Sequence, residues 1–246
     1  MAELNLPTLP VDLPSKGKLY PKDNPLSSGV IEMKYMGAKE EDILTNEIYI
    51  ERGEALDRFM KSMIVSKIDF DTLLIGDKDQ IMIAARIFGF GKDYHVEHDG
   101  KPITINLSEL KDKDIDWSLI HDGKNEFDFV LPHSQIKVTF KILTHKDEKV
   151  IQAEIDGLSK QSVDLKKNSS TRLYHQIVAV NGNRDTKLIR DFVDEALITL
   201  DSRPLRAYMS KVSPGVDFVT KGVTNTGEVV EGLVMPMTVD FFWPRS

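Results

Sequence analysis

The chain contains no cysteine among its 246 residues. Disulfide bonds, thiol nucleophiles and cysteine-ligated zinc are therefore excluded. A chain of this length can bury a sizeable core without such cross-links. The absence of cysteine fits a reducing compartment.

A surplus of basic residues is also lacking, because 32 lysines and arginines face 39 aspartates and glutamates, which gives a net charge of −7. This balance argues against nucleic acid or a membrane surface as a partner. No apolar run approaches the ~20 residues of a membrane-spanning helix. The first residues lack the basic region and apolar segment of a signal peptide, so we expect a cytoplasmic protein.

Motifs that carry chemistry are missing as well. The sequence has no Gly-x-x-x-x-Gly-Lys phosphate loop and no Gly-x-Ser-x-Gly nucleophile elbow. His95 and His98 lie three apart in a predicted strand, so they point to opposite faces and do not suggest a metal site. We therefore predict no enzymatic activity, cofactor, metal or small-molecule substrate. A metal-dependent hydrolase without a recognisable motif stays open, and a polar cleft with convergent Asp, Glu or His would reveal it.

Proline and leucine dominate the first 29 residues. Five prolines there prevent helix formation and favour extended chain, whereas a disordered tail would carry fewer large apolar groups. We interpret the segment as an extended arm that lies either on its own domain or on a partner. Leu6, Leu9 and Leu13 are its candidate interface residues.

Three adjacent aromatic residues, Phe241, Phe242 and Trp243, stand in the stretch MPMTVDFFWPRS. Each can bury ~150–250 Å², and aromatic residues are favoured anchors at protein interfaces. We include all three among the candidate interface residues. The alternative, that they complete the core of their own chain, stays open.

The periodicity of apolar residues predicts an α+β fold. The pattern indicates a strand at 30–36, a helix starting near Asp77 with a capping-box pattern, and a hairpin turning at Asp99-Gly100. It also favours one helix over 171–180 and another, with a wide apolar stripe, over 186–200.

Two stretches of the first half recur in the second half. Ile31 aligns with Val138 at an offset of 107 residues, and Asp77 aligns with Asp201 at an offset of 124. We interpret these matches as two diverged copies of a strand–helices–β-hairpin unit, packed as a pseudo-symmetric pair. Chance similarity between two α+β units is the alternative. The predicted organisation is an extended N-terminal arm (1–29), a first lobe (30–124) and a second lobe (125–246).

Five stretches together resemble one protein family: LPSKGKLYP, IEMKYMGAKEEDILTN, GDKDQIMIAARIFGFGKDY, IRDFVDEALITLDSRPLRAYM and MPMTVDFFWP. The resemblance is to the baseplate hub proteins of T-even-like contractile-tailed bacteriophages. It runs from about residue 7 to 244, and none of its motifs is an enzyme motif. Some relatives carry paired cysteines near the hairpins, like small zinc ribbons. Because this chain has no cysteine, a metal role of that kind does not extend to it.

The resemblance implies a non-enzymatic viral tail protein that acts through protein–protein contacts with other baseplate hub proteins. Such a protein is either a structural component of the hub or an assembly factor that is not retained in the virion. Either version would be present in the host cell cytoplasm during assembly, and the first also in the tail baseplate. The sequence does not separate the two.

Overall fold

The computed structural model describes residues 7–161, 168–236 and 241–242 as a mixed α+β protein. The first half holds β1 (Thr8–Asp12), β2 (Val30–Lys34), α1 (Ala38–Leu44), α2 (Glu47–Glu51), α3 (Ala55–Met63), α4 (Ile75–Phe90), β3 (Asp93–His98), β4 (Lys101–Asn106) and β5 (Lys111–Asp112). The second half holds β6 (Phe127–Val130), β7 (Lys137–Phe140), α5 (His145–Gln161), α6 (Asn168–Gln176), β8 (Ile177–Val180), α7 (Thr186–Asp191), α8 (Thr199–Val212), β9 (Val216–Asp217), β10 (Val219–Thr224) and β11 (Val229–Val234).

The strands form several small antiparallel sheets. Two of them are the pairs β1–β2 and β5–β9, a third has the order β6-β7-β8, and the largest has the order β11-β10-β4-β3. The α+β prediction is confirmed at this level. Two local predictions are wrong. Residues 171–180 change from helix to strand at Ile177, and residues 186–200 are split into α7, a π-helical turn (Phe192–Ala196) and the start of α8.

From Thr8 onward, the leucine- and proline-rich segment packs against the rest of the first half of the chain. Strand β1 pairs with β2 from Thr8↔Lys34 to Asp12↔Val30, and Pro10 is compatible with its place on an outer strand. The chain then turns through a buried stretch that contains Leu13 and Leu19. Residues 1–6 of the predicted arm lie outside the described residues.

The strand-to-helix junctions of the two halves share one set of contacts. At the end of β2, the Lys34 ammonium donates to Glu40 (2.7 Å) and the Gly37 amide donates to the same carboxylate (3.1 Å). After β7, the Lys141 ammonium donates to Asp147 (2.8 Å) and the Thr144 amide also donates to it (3.0 Å). Each second-half position lies 107 residues after its counterpart.

The two β-hairpins share the four-stranded sheet. The turn between β3 and β4 has positive φ at Asp99 (50°) and Gly100 (74°), as a type I′ hairpin requires, so the predicted hairpin is confirmed. Strand β4 pairs with β10, with Val223 opposite Thr104. The second strand of one hairpin thus meets the first strand of the other, which is a head-to-tail order.

Both halves contribute to one continuous hydrophobic core. It includes Leu26 and Phe59 from the first half and Phe140 and Leu205 from the second. Among the described residues, none of the helices combines the length and apolar character needed to cross a bilayer.

Candidate functional site

Two of the three aromatic candidates are buried inside their own chain. Phe241 and Phe242 are only 1% and 3% exposed. The Phe241 ring meets Tyr94 edge-on at 5.1 Å between centroids, and the Phe242 ring meets Phe59 at 5.3 Å. These two phenylalanines are therefore part of the shared core, next to residues of the first half of the chain, and are not exposed docking residues. Trp243 lies outside the described residues.

The leucine candidates also belong to the fold. Leu13 is 2% exposed within the core, and Leu9 is half-buried on β1 opposite Met33. Leu13 is therefore inaccessible to a partner, because its side chain is already surrounded by this chain. Leu6 lies outside the described residues.

A buried carboxylate joins the N-terminal turn to helix α4. Asp77 is the third residue of α4, and it accepts hydrogen bonds from the Ser15 amide (2.9 Å), the Ser15 hydroxyl (2.7 Å) and the Tyr20 hydroxyl (2.6 Å). The Tyr20 oxygen in turn accepts from the Leu74 amide (2.9 Å). Burial raises the pKa of Asp77, and the hydrogen bonds from Tyr20 and Ser15 oppose that rise. Asp77 therefore connects the N-terminal turn to α4 through buried hydrogen bonds. It is not the helix cap that its sequence context predicted.

Asp201 occupies the matching place in the second half. It is the third residue of α8, it is fully buried, and its carboxylate accepts from the amides of His133 (2.8 Å) and Ser134 (3.1 Å). Burial alone would raise the pKa of Asp201, but these hydrogen bonds lower it. Both aspartates thus hold a turn that follows a Leu-Pro pair, Leu13-Pro14 or Leu131-Pro132. The two Leu-Pro pairs are the feature of the sequence that could have indicated these turns, and the sequence analysis did not use them.

A second polar cluster connects the two halves. His145 Nε2 lies 2.8 Å from Asp57 Oδ2, and His145 Nδ1 lies 3.0 Å from the Lys78 ammonium. An ammonium can only donate, so Nδ1 accepts from Lys78 and Nε2 donates to Asp57. Burial would raise the pKa of Asp57, but the His145 hydrogen bond and the Lys78 charge hold it at about 2. The cluster is a satisfied network that fixes α3, α4 and α5 together.

A third cluster lies among the helices of the second half. The Arg190 guanidinium donates two hydrogen bonds to Glu154 (2.7 and 2.9 Å), and His175 lies 2.9 Å from the same carboxylate. The Arg190 hydrogen bonds hold the pKa of Glu154 at about 2, against the effect of burial. Bidentate geometry of this kind is typical of a structural ion pair.

An open cleft of about 310 Å³ lies beside α3. Its lining includes Lys61, Asp69 and Asp71, and the Lys61 ammonium sits 5.1 Å from the Phe70 ring centroid. In the part of the chain that the structure describes, no three His, Cys, Asp or Glu residues are grouped so that they could hold a metal ion.

Asp79 on α4 provides a test of how burial raises the pKa of a carboxyl group in this fold. Burial raises the pKa of Asp79 from 3.8 to about 6, and the charges of Lys113 and Lys78 reduce the rise. Because the pKa of Asp79 is higher in the folded state, ionisation of its carboxyl group opposes folding. The contribution of Asp79 to the free energy of unfolding is therefore most favourable below about pH 4 and is lost as the pH rises through 6. We expect Asp79→Asn to be nearly neutral below about pH 4 and to stabilise the protein by about 1–3 kcal/mol at pH 7.

Urea unfolding at several pH values checks this expectation, with Asp42→Asn on the exposed face of α1 as the matched control. An Asp79→Asn effect that did not change between pH 4 and 7 would contradict a raised pKa.

Comparisons with protein-family models, with curated proteins and with solved structures found no match to the chain.

Proposed function

We propose that this chain is a non-enzymatic protein of the baseplate hub of a contractile-tailed bacteriophage, and that it acts through protein–protein contacts during tail assembly in the host cytoplasm. The motifs quoted above support the family assignment. The observation that carries the proposal is how polar and apolar groups are distributed. The Asp77 and Asp201 carboxylates and the Asp57–His145 and Glu154–Arg190 clusters are engaged in internal contacts. Exposed valines, by contrast, are concentrated on the β10–β11 hairpin.

We also infer that the two lobes are diverged copies of one unit. The equivalent Lys–acid contacts after β2 and β7 support this, as do the equivalent aspartates in α4 and α8. By strand pairing β1 corresponds to β6, because β1 pairs with β2 and β6 pairs with β7, each in an antiparallel arrangement. The arm from Thr8 onward is then the first strand of the first copy. The head-to-tail order β3-β4-β10-β11 departs from a two-fold arrangement of the hairpins.

Co-expression of this chain with each of the other hub proteins of its phage tests the proposed function. We expect at least one of them to co-purify with the chain through a size-exclusion column. If none does, the proposal is contradicted.

Mass spectrometry of purified virions separates the two versions of the proposal. A chain present at a fixed ratio to the other hub proteins is a structural component. A chain that is required for assembly but missing from virions is an assembly factor. For the metal-dependent hydrolase, the described residues contain no group of three His, Cys, Asp or Glu side chains that could hold a metal ion.

A further inference from the structure

Asn181 and Gly182 form an exposed two-residue turn directly after β8. Both residues have positive φ, 47° and 79°, and the flanking Val180 and Asn183 exchange two backbone hydrogen bonds of 2.9 Å each. Positive φ at both central residues is the signature of a type I′ turn, for which Asn-Gly is a preferred pair. The sequence contains no other Asn-Gly pair.

An asparagine that precedes glycine is also the one most exposed to attack by its own backbone. The backbone nitrogen of the next residue can add to the side-chain Cγ atom, which closes a five-membered imide ring and releases ammonia. A glycine at that next position has no Cβ atom to obstruct the approach. A Cβ atom built on Gly182 would meet nothing within 4 Å, so the surrounding fold leaves this position open as well.

Neither the attacking nitrogen nor the leaving nitrogen is engaged by the fold. The Gly182 amide makes no hydrogen bond to any residue that the structure describes. Nδ2 of Asn181, which has to leave as ammonia, likewise has no hydrogen-bond partner within the described part of the chain. Both residues are exposed, so solvent can take up the proton that the Gly182 nitrogen loses.

One hydrogen bond of the turn activates the carbonyl group that is attacked. The Lys137 amide donates to Asn181 Oδ1 at 3.0 Å. Negative charge develops on this oxygen when a nitrogen adds to Cγ, and a donor that is already aimed at such an oxygen lowers the barrier. The turn therefore combines an accessible nucleophile, an activated carbonyl and a free leaving group.

Asn183, two residues later, provides an internal comparison. Its Oδ1 also accepts from a backbone amide, that of Asp185 at 2.9 Å, and Asn183 is also exposed. The next residue is Arg184, however, whose Cβ atom obstructs attack by its own nitrogen. The two asparagines thus share exposure and a hydrogen-bonded carbonyl, and they differ in the residue that follows.

We propose that Asn181 is a site of spontaneous deamidation in the folded protein. The Gly182 nitrogen forms a bond to Asn181 Cγ and gives up its proton, the bond from Cγ to Nδ2 breaks, and ammonia leaves. One water molecule then opens the imide at either carbonyl, which yields aspartate or its isoaspartate isomer at position 181. Water is the only co-reactant, and the inference is independent of the proposed function.

The two products differ in their effect on the β7–β8 pair. Aspartate keeps an oxygen that can accept from the Lys137 amide, so it adds a negative charge without removing this contact. Isoaspartate lengthens the backbone of the turn by one carbon atom, which changes the spacing between Val180 and Asn183 and disrupts their paired hydrogen bonds. We therefore expect the isoaspartate form to melt at a lower temperature than the variant Asn181→Asp.

Peptide mapping by mass spectrometry, after incubation of the folded protein at mildly alkaline pH, tests the proposal. We expect conversion at Asn181 to be about tenfold or more faster than at Asn183, with aspartate and isoaspartate both present. Gly182→Ala is the matched variant, because its Cβ atom obstructs the nitrogen, and it should slow the conversion about tenfold. Circular dichroism verifies that this variant is folded, since alanine is strained at a φ of 79°.

A synthetic peptide of residues 179–185, which cannot form the β7–β8 pair, is the reference. If the peptide is converted while the folded protein is not, the turn protects Asn181 and the inference is overturned. Equal rates at Asn181 and Asn183, or an unchanged rate in folded Gly182→Ala, would also overturn it. If Gly182→Ala does not fold, the comparison of the two asparagines in the unmodified chain decides the inference.

Discussion

Replacement of Asp77 by alanine is expected to lower the free energy of unfolding by about 3–5 kcal/mol. The substitution would leave the Ser15 amide, the Ser15 hydroxyl and the Tyr20 hydroxyl without their acceptor in a buried space. Each unsatisfied buried donor costs ~1–3 kcal/mol. A loss of this size is a large fraction of the ~5–15 kcal/mol that stabilises a typical domain.

Chemical denaturation of purified variants measures the effect. Ser15→Ala removes one of the three donors to Asp77 and the acceptor of the Gly17 amide, and it should cost only about 1–2 kcal/mol. It keeps the test informative if Asp77→Ala does not fold. Asp42→Ala, on the exposed face of α1, should stay within about 0.5 kcal/mol of the unmodified protein. If Asp77→Ala were as stable as Asp42→Ala, the buried tie between the N-terminal turn and α4 would be refuted.

Phe241→Ala is expected to destabilise the protein by about 3–5 kcal/mol, because a fully buried ring would be replaced by a cavity. The ring contacts Tyr94 and Phe242, and Phe242 contacts Phe59 of α3. Truncation of Phe241 would then lower the free energy of unfolding as much as truncation of a typical buried core residue does. A purely interfacial role would predict almost no change in the isolated chain.

Thermal and urea unfolding of the isolated chain distinguish these two outcomes. Leu200→Ala is the matched control, since Leu200 is 65% exposed on α8 and its truncation should change stability by less than about 1 kcal/mol. Equal melting temperatures for Phe241→Ala and Leu200→Ala would mean that Phe241 is not a core residue.

Local signals in the sequence were sufficient for elements whose determinants are close together in the chain. The strand predicted at 30–36 is found at Val30–Lys34, and the turn at Asp99-Gly100 is where β3 and β4 meet. An alternating pattern and a turn with positive φ are properties of a few consecutive residues, so no distant contact had to be known.

Elements that depend on distant contacts could not be found in this way. Residues 177–180 form β8 beside β7, with Val180 opposite Val138, although three of these four residues are β-branched and this local signal for a strand was overlooked. The apolar stripe over 186–200 likewise predicted one helix. The helix is interrupted before Thr199, which places Asp201 at the third position of α8, where it reaches the turn at 133–134.

The hydrogen-bonded polar clusters join residues that are even further apart in the sequence. Asp77 and Ser15 are 62 residues apart, and Asp57 and His145 are 88 apart. The sequence identified Asp77 and Asp201 as a matched pair, because their neighbourhoods align. It could not show that both carboxylates reach back to a Leu-Pro turn, since that requires the positions of β1 and β6 relative to the helices.

Part of the first half of the chain is covered by residues made much later in translation. Tyr94 and Phe59 are covered by Phe241 and Phe242, and the edge of β4 is covered by β10. At a synthesis rate of ~5–20 residues per second, roughly 7–30 s separate the emergence of Tyr94 from that of Phe241. During that interval, a first half that folds to its final structure would expose the edge of β4 and the rings of Tyr94 and Phe59. We therefore expect the ribosome-bound chain to be prone to aggregation until its second half has emerged.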